Sequence, residues 1–151
     1  MMDIRWSTKR FDELTVHELH DLLRLRVDIF VVEQACVYAE IDGQDPAALH
    51  LFAQATDGAM IAYARILPPD SDGLPHIGRI VVRADHRGKG VATDLMMRAM
   101  EILRQHYGSR RSALAAQAHL VAFYERFGFV RQGPDHLLDG IPHVDMRREE
   151  A

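Results

Sequence analysis

The chain has 151 residues, of which 48% are hydrophobic and 26% are charged, and its formal net charge at pH 7 is -4. This composition is typical of a globular domain with a hydrophobic core, and the acidic balance gives no general case for binding nucleic acid. We expect one domain over residues 1–151 and no membrane anchor, because no apolar run approaches the length of a membrane span and residues 1–6 lack the apolar core of a signal peptide. The single cysteine, Cys36, cannot form an internal disulfide, which fits a cytoplasmic protein.

The N-terminal part of the chain predicts a strand followed by an amphipathic helix. Residues 4–7 are interpreted as a short strand. Thr15 and Glu18 have the spacing of a capping box, and leucines at helical spacing then predict a helix that ends at about residue 28 or 30. Residues 31–38 are compatible with a short helix or with irregular structure.

Three strands on short connections follow, at residues 49–56, 60–67 and 76–82. Asp57-Gly58 between the first two is a strong hairpin signal, and residues 68–73 are rich in turn-forming types. We therefore predict an antiparallel meander.

The second half alternates helices and strands. The clearest helical period of the chain extends from residue 91 to about 106, and a short strand is predicted at 113–116. A helix is predicted at 117–127 with Gly128 as its left-handed cap, and two closing strands at 129–132 and 143–146. Because a strand–helix–strand unit normally gives a parallel pair, the sheet should be mixed.

The segment between the strand at 76–82 and the long helix has the chemistry of an anion site. It reads Arg87-Gly88-Lys89-Gly90-Val91-Ala92. Unpaired amides at a helix N-terminus, the helix dipole and two cationic side chains all favour phosphate. A Walker loop is excluded because its Gly-Lys-Ser/Thr ending is missing, and a dinucleotide loop is excluded because the third glycine and the later acidic residue are missing.

The combination of Arg87, Gly90 and Ala92, after a strand and before a long helix, resembles the acetyl-CoA pyrophosphate loop of the GNAT N-acetyltransferases. Residues 122–129, a helix that carries Tyr124 and ends at Gly-Phe, resemble the second signature of that family. The resemblance implies an α/β (α+β) fold with a single GNAT-like domain, in which a mixed, mostly antiparallel sheet is flanked by helices.

Further segments follow one another over residues 5–147: Arg26, residues 30–38, Asp42-Gly43-x-Asp45, His50-Leu51 and residues 140–146. Together they resemble the ElaA-type branch of GNAT proteins. Two positions depart from the pattern: Val37 stands where that branch often has Pro, and Gln117 stands where many GNAT helices place Asn.

The resemblance implies direct transfer of an acetyl group from acetyl-CoA to the amine of a small acceptor, without a metal or a membrane, by a monomer or homodimer. Backbone groups at the end of the strand would hold the pantetheine arm and the thioester, and the loop amides would hold the pyrophosphate. The implied cofactor-binding residues are Ile80, Val81, Val82, Arg87, Gly88, Lys89, Gly90, Val91, Ala92, Thr93 and Gln117.

Tyr124 is implied as the general acid that protonates the leaving thiolate, against the alternative of a buried aromatic that joins its helix to the core. His76 is the candidate base, because strand alternation puts it on one face with Gly78, Ile80 and Val82. The alternatives are a surface role for His76 and a water chain in place of a base.

The segment after the first helix is expected to border the acceptor, with Glu33, Cys36 and His50 as candidate substrate contacts. Glu33 and His50 are also rival bases. Together with Asp42 and Asp45, Glu33 hints at a cationic acceptor such as a polyamine, although solvated loop acids explain the same residues. Two other functions stay open: a non-catalytic acyl-CoA-binding module, and an acetyltransferase that acts on protein or peptide amines.

Overall fold

The computed structural model describes residues 3–36 and 38–149, and Val37 lies outside the described residues. Within these ranges the strands are β1 (Ile4–Arg10), β2 (Leu49–Ala55), β3 (Met60–Leu67), β4 (His76–Val82), β5 (Ser112–Gln117), β6 (Phe129–Arg131), β7 (His136–Leu138) and β8 (Ile141–Arg148). The helices are α1 (Val16–Arg26), α2 (Val91–Tyr107) and α3 (Val121–Glu125), together with a π-helix at Val27–Glu33 and short 3-10 turns at Phe11–Glu13, Asp45–Ala47, Ala84–His86 and Ala118–Leu120.

The strands form one mixed sheet, as predicted. Its order is β1-β2-β3-β4-β5-β8-β6, with β7 paired to β8. Neighbours are antiparallel except for β4 and β5, which are parallel, so the predicted meander and the parallel crossover are both confirmed. Strand β7 was not predicted.

Three local sequence signals produce the expected structures. The Glu18 amide donates to the Thr15 hydroxyl at 3.0 Å, and the Thr15 amide donates to the Glu18 carboxylate at 2.9 Å. The Gly58 amide closes the hairpin turn by donating to the Ala55 carbonyl at 2.9 Å, with φ at 86°. Gly128 has φ at 90°, the left-handed conformation expected after a helix.

Two predicted helix boundaries are wrong. The α-helical geometry of α1 ends at Arg26, and the chain continues as a π-helix in which the Gln34 amide donates to the Ile29 carbonyl five residues earlier. The predicted helix at 117–127 begins later, because Gln117 is still extended and paired with β8, and α3 starts only at residue 121.

A bulge interrupts β4. Arg79 has φ at 50°, and it and the next residue together lie opposite Ala64 of β3. A bulge of this kind shifts the alternation of side chains. His76 therefore lies on the α1 side of the sheet, whereas Ile80 and Val82 pack towards α2. The prediction that these three residues share one face is wrong.

The two faces of the sheet carry separate apolar clusters. On one face, α2 buries Leu95, Met96, Ala99 and Leu103 against β2, β3 and β4. On the other face, Leu22 and Leu25 of α1 pack against the sheet. Their partners there are Phe52 of β2, Tyr63 of β3 and Val81 of β4. Along residues 3–36 and 38–149, none of the helices is long and apolar enough to cross a membrane.

Candidate active site

The sheet is split between its two parallel strands. In the described chain, β4 and β5 pair at a single position, His76 with Ala113, and then diverge. Two cavities occupy the split, and they share six lining residues: Phe30, Gln34, Ile80, Gln117, Leu120 and Tyr124. Because they share these walls, the two cavities adjoin at the shared residues, and they are here called the two arms of one groove.

The first arm, here called the loop arm, encloses about 350 Å³ and is bounded by Val82, Arg87 and Ala92. The second, here called the hairpin arm, encloses about 220 Å³ and reaches the β7–β8 hairpin at Asp139 and His143. Ligands in the two arms would therefore lie nearest to each other at the shared residues.

The segment that precedes α2 presents backbone amides beside the loop arm. Gly88 and Gly90 have φ at 74° and 82°, and an added Cβ would meet no atom within 4 Å at either. Gly90 is the N-cap of α2 and provides no side-chain cap, so the first amides of the helix are not capped by a side chain. This arrangement can bind an anion through main-chain N–H groups.

Arg87 joins this segment to two neighbours. Its Nε donates to the Val82 carbonyl at 2.9 Å, and its Nη2 lies 3.0 Å from the Glu33 carboxylate. Glu33, expected near the acceptor, therefore lines the loop arm and pairs with Arg87. Lys89 is exposed, and the side chain of Val91 is buried in the core.

Tyr124 lies at the junction of the arms. Its side chain is 6% exposed, and its ring packs edge-on against Phe123 and Phe129. Among the described residues its hydroxyl has no hydrogen-bond partner. Burial raises the pKa of Tyr124 to about 12, so the phenol stays protonated at neutral pH.

Gln117 and Gln34 reach across the groove. Gln117 is the last residue of β5, and its Nε2 donates to the Gln34 Oε1 at 3.2 Å. Both residues line both arms, so the predicted contact residue Gln117 lies at the junction.

The hairpin arm contains Cys36, His76 and His143. The Cys36 thiol donates to the Asp139 carbonyl at 3.1 Å. The Nε2 of His76 lies 2.6 Å from an Asp70 carboxylate oxygen, and this hydrogen bond holds the pKa of Asp70 at about 2. Asp70 and His143 were not identified from the sequence.

Six alternating charges form a closed ring beside the hairpin arm, here called the charge ring. Arg26 binds Glu40 and Asp45, Arg65 binds Asp45 and Asp42, and Arg79 binds Asp42 and Glu40; its members are Arg26, Glu40, Arg79, Asp42, Arg65 and Asp45. The ring fixes Arg79 in the left-handed conformation that produces the bulge of β4, and it has no net charge.

His50 lies behind the charge ring and lines neither arm. It is 0% exposed; one ring nitrogen lies 2.6 Å from the Tyr63 hydroxyl and the other 2.9 Å from the Asp45 carbonyl. A carbonyl only accepts, so Nε2 donates to Asp45 and Nδ1 accepts from Tyr63. Burial lowers the pKa of His50 and keeps it neutral. The expectation that His50 contacts substrate is therefore corrected: His50 is a core residue.

No set of three or more His, Cys, Asp or Glu side chains in the described parts of the chain is grouped to hold a metal ion.

Comparison with known proteins gives the family. The model of the GNAT acetyltransferase domain matches residues 23–150. The chain belongs to the GNAT acetyltransferase family. It is 42% identical to protein ElaA of Escherichia coli over 149 residues, which cover 97% of each chain. It is 38% identical to a UPF0039 protein of Schizosaccharomyces pombe over 150 residues, 99% of each.

Solved structures of GNAT relatives have the same fold as this chain. The crystal structure of an acyl-CoA N-acyltransferase from Pseudomonas aeruginosa matches with a TM-score of 0.92 at 42% identity, over 97% of this chain and 100% of the other. The crystal structure of Escherichia coli ElaA matches with a TM-score of 0.90 at 39% identity, over 97% and 100%. The predicted GNAT fold and ElaA-like relationship are confirmed, and the chain is a GNAT-type N-acetyltransferase.

Proposed function

We propose that this GNAT protein transfers an acetyl group from acetyl-CoA to the amine of a small acceptor, with the donor in the loop arm and the acceptor in the hairpin arm. The observation that carries the proposal is the position of Tyr124, a buried phenol without a partner among the described residues, at the only place where the two arms meet in the described chain. A donor and an acceptor that entered from opposite arms would react beside its hydroxyl.

The donor would be held mainly by backbone groups. Amides of residues 88–93 would bind the pyrophosphate, with Arg87 and Lys89 adding positive charge near it. Residues 80–82 would present main-chain groups to the pantetheine arm and the thioester, since this edge of β4 has no strand partner beyond His76 in the described chain. Gln117, at the junction, would lie beside the thioester.

The transfer needs no reactant besides acetyl-CoA and the amine. The neutral amine nitrogen attacks the carbonyl carbon of the thioester, a C–N bond forms and the C–S bond breaks. The thiolate takes a proton from Tyr124, and the nitrogen loses the proton that restores the phenol, giving an amide and the CoA thiol. The burial that raises the pKa of Tyr124 also raises the basicity of a thiolate at the same place, so the proton transfer remains feasible.

The acceptor would be small and at least partly apolar. The hairpin arm of about 220 Å³ is smaller than a typical drug-sized pocket, which favours a small amine over a folded protein. Its walls include Val31, Leu67, Leu138 and Ile141. The carboxylates expected to attract a polyamine are already neutralised, Asp42 and Asp45 by the charge ring and Glu33 by Arg87. Such chemistry, with one unpaired cysteine, fits a cytoplasmic enzyme of small-molecule metabolism.

The proposal is tested by measuring thiol release from acetyl-CoA against a panel of alkyl and aromatic amines, polyamines, amino acids and peptides. Butyryl-CoA and octanoyl-CoA test the donor. Saturation at 100 times Kd should stabilise the fold by about 2.7 kcal/mol, a rise in Tm of roughly 5–11 °C. Stabilisation without transfer would indicate a binding module, and the absence of both would refute the proposal.

The role of Tyr124 is tested with Tyr124→Phe, using Tyr107→Phe on α2 as the matched control because Tyr107 lines neither arm. We expect kcat to fall by about 10²-fold in the first variant, with little change in KM for acetyl-CoA, and to be unchanged in the second. Full activity of Tyr124→Phe across the pH range would refute the assignment.

A further inference from the structure

His143 presents one basic nitrogen. It lies in β8 and is 8% exposed, and its Nδ1 is 2.7 Å from the Ile141 carbonyl. Because a carbonyl oxygen can only accept, Nδ1 carries the proton, and the neutral ring therefore has its lone pair on Nε2. Within the described residues Nε2 has no hydrogen-bond partner. The histidine lines the hairpin arm.

The register of the sheet puts His143 next to the junction of the arms. It is the direct partner of Gln117 across the antiparallel β5–β8 pair, so the two side chains lie on the same face. Gln117 lines both arms. His76, in contrast, pairs with Ala113, four residues before Gln117, which is about 13 Å along the strand. The Nε2 of His76 is also bound to Asp70.

An amine acceptor needs such a base. A primary amine with a pKa near that of lysine is free of its proton in only about 1 molecule in 2,500 at pH 7. Two carboxylates line the hairpin arm: Glu40, which is paired in the charge ring, and Asp139, which is exposed to solvent. A solvated carboxylate compensates an ammonium ion only weakly for lost water, which favours loss of its proton. A neutral imidazole beside the junction can take that proton.

We propose that Nε2 of His143 accepts the proton that the ammonium form of the acceptor must lose before it attacks. The N–H bond of the ammonium breaks, an Nε2–H bond forms, and the imidazolium then returns its proton to water. This assignment rests on the proposed function, and it makes His143 a catalytic base in place of His76.

Other titratable groups around His143 are accounted for. Glu40 and Arg79 belong to the charge ring, and His76 is bound to Asp70. His136 of β7 is the cross-strand partner of His143, and its Nε2 lies 3.0 Å from the carboxylate of Asp145 on β8. The remaining titratable groups of the arm and its hairpin are Cys36, Tyr38, Tyr124 and Asp139.

The test compares His143→Gln with His106→Gln, a control at an exposed position of α2 that lies outside both arms. We expect His143→Gln to lower kcat/KM for the amine by about 10²-fold at pH 7 with KM for acetyl-CoA unchanged. The deficit should shrink as the pH rises, because more of the amine is already deprotonated in solution. The control should keep the wild-type profile.

Two results would overturn the assignment while leaving the proposed function intact: wild-type activity in His143→Gln, or loss of the pH dependence in His76→Gln but not in His143→Gln. Absence of transfer by the wild-type protein would overturn both proposals. A measurement on the wild-type protein does not depend on folding of a variant: imidazole ¹⁵N spectra should show neutral His143 protonated on Nδ1, and the Nε2–H tautomer would refute the inference.

Discussion

The charge ring makes a quantitative prediction about stability. Asp45 accepts hydrogen bonds at 2.8 Å from Arg26 and at 3.1 Å from Arg65, whose side chains are 0% and 3% exposed. Asp45→Asn keeps the shape and one oxygen acceptor but removes the charge. The two buried guanidinium groups then lose one anionic partner, and because both are buried, water cannot solvate them in its place.

Removing one partner of a buried ion pair costs about 3–5 kcal/mol, because the remaining charge stays desolvated. For a chain of this size that is a fall in Tm of roughly 6–20 °C. In the double variant Arg26→Met/Asp45→Asn the ring has no net charge, so part of the lost stability should be recovered. The sum of the losses in the single variants Arg26→Met and Asp45→Asn should exceed the loss in the double variant by about 1–3 kcal/mol.

Urea unfolding followed by circular dichroism measures these free energies, provided that the slope of free energy against urea concentration is the same in each variant. Glu101→Gln is the control, because Glu101 and its partner Arg104 on α2 both have side chains 50% exposed, and the loss of an exposed pair should change stability little. A loss below 1 kcal/mol in Asp45→Asn, or strict additivity in the double variant, would refute the account of the ring as a coupled buried network.

Three further outcomes are expected. Thr15→Ala removes one half of the capping box and should cost about 1 kcal/mol in urea unfolding; no loss would mean that α1 does not depend on its cap. The hydrogen bonds from Arg65 hold the pKa of Asp42 well below its usual range, so this stabilisation is present above pH 4 and should be lost as the pH falls below 4, in unfolding curves collected from pH 7 to pH 3. Gly90→Ala forces a side chain into φ at 82°, and should cost about 1–2 kcal/mol and reduce the thermal shift that acetyl-CoA produces; an undiminished shift would argue against the loop as its site.

The parts of the fold that depend on neighbouring residues in sequence were predictable. The capping box, the Asp57-Gly58 turn, the period of α2 and the cap at Gly128 each follow from a few adjacent residues. The phosphate-type loop and Tyr124 were singled out because short local patterns resemble the two GNAT signatures, and their roles stay predictions.

The features that were missed depend on residues far apart in sequence. Arg79 adopts a left-handed backbone conformation, although it is not a glycine. The cause lies nearly forty residues earlier, in a loop whose Glu40 and Asp42 bind the Arg79 side chain. His143 becomes a candidate only when its register with Gln117 is known. Strand β7 has three exposed residues, so no alternation of buried and exposed positions marks it.

The split between β4 and β5 also bears on aggregation. Unpaired strand edges invite other chains to add strands, and proteins usually protect them with charge, bulges or covering segments. Here the exposed main-chain edges lie in the interior of a sheet, with the π-helical segment on one side and α3 on the other. Because both covering segments line the groove, we expect a strand from another polypeptide to reach these edges less readily than it would reach the outer edge of a sheet.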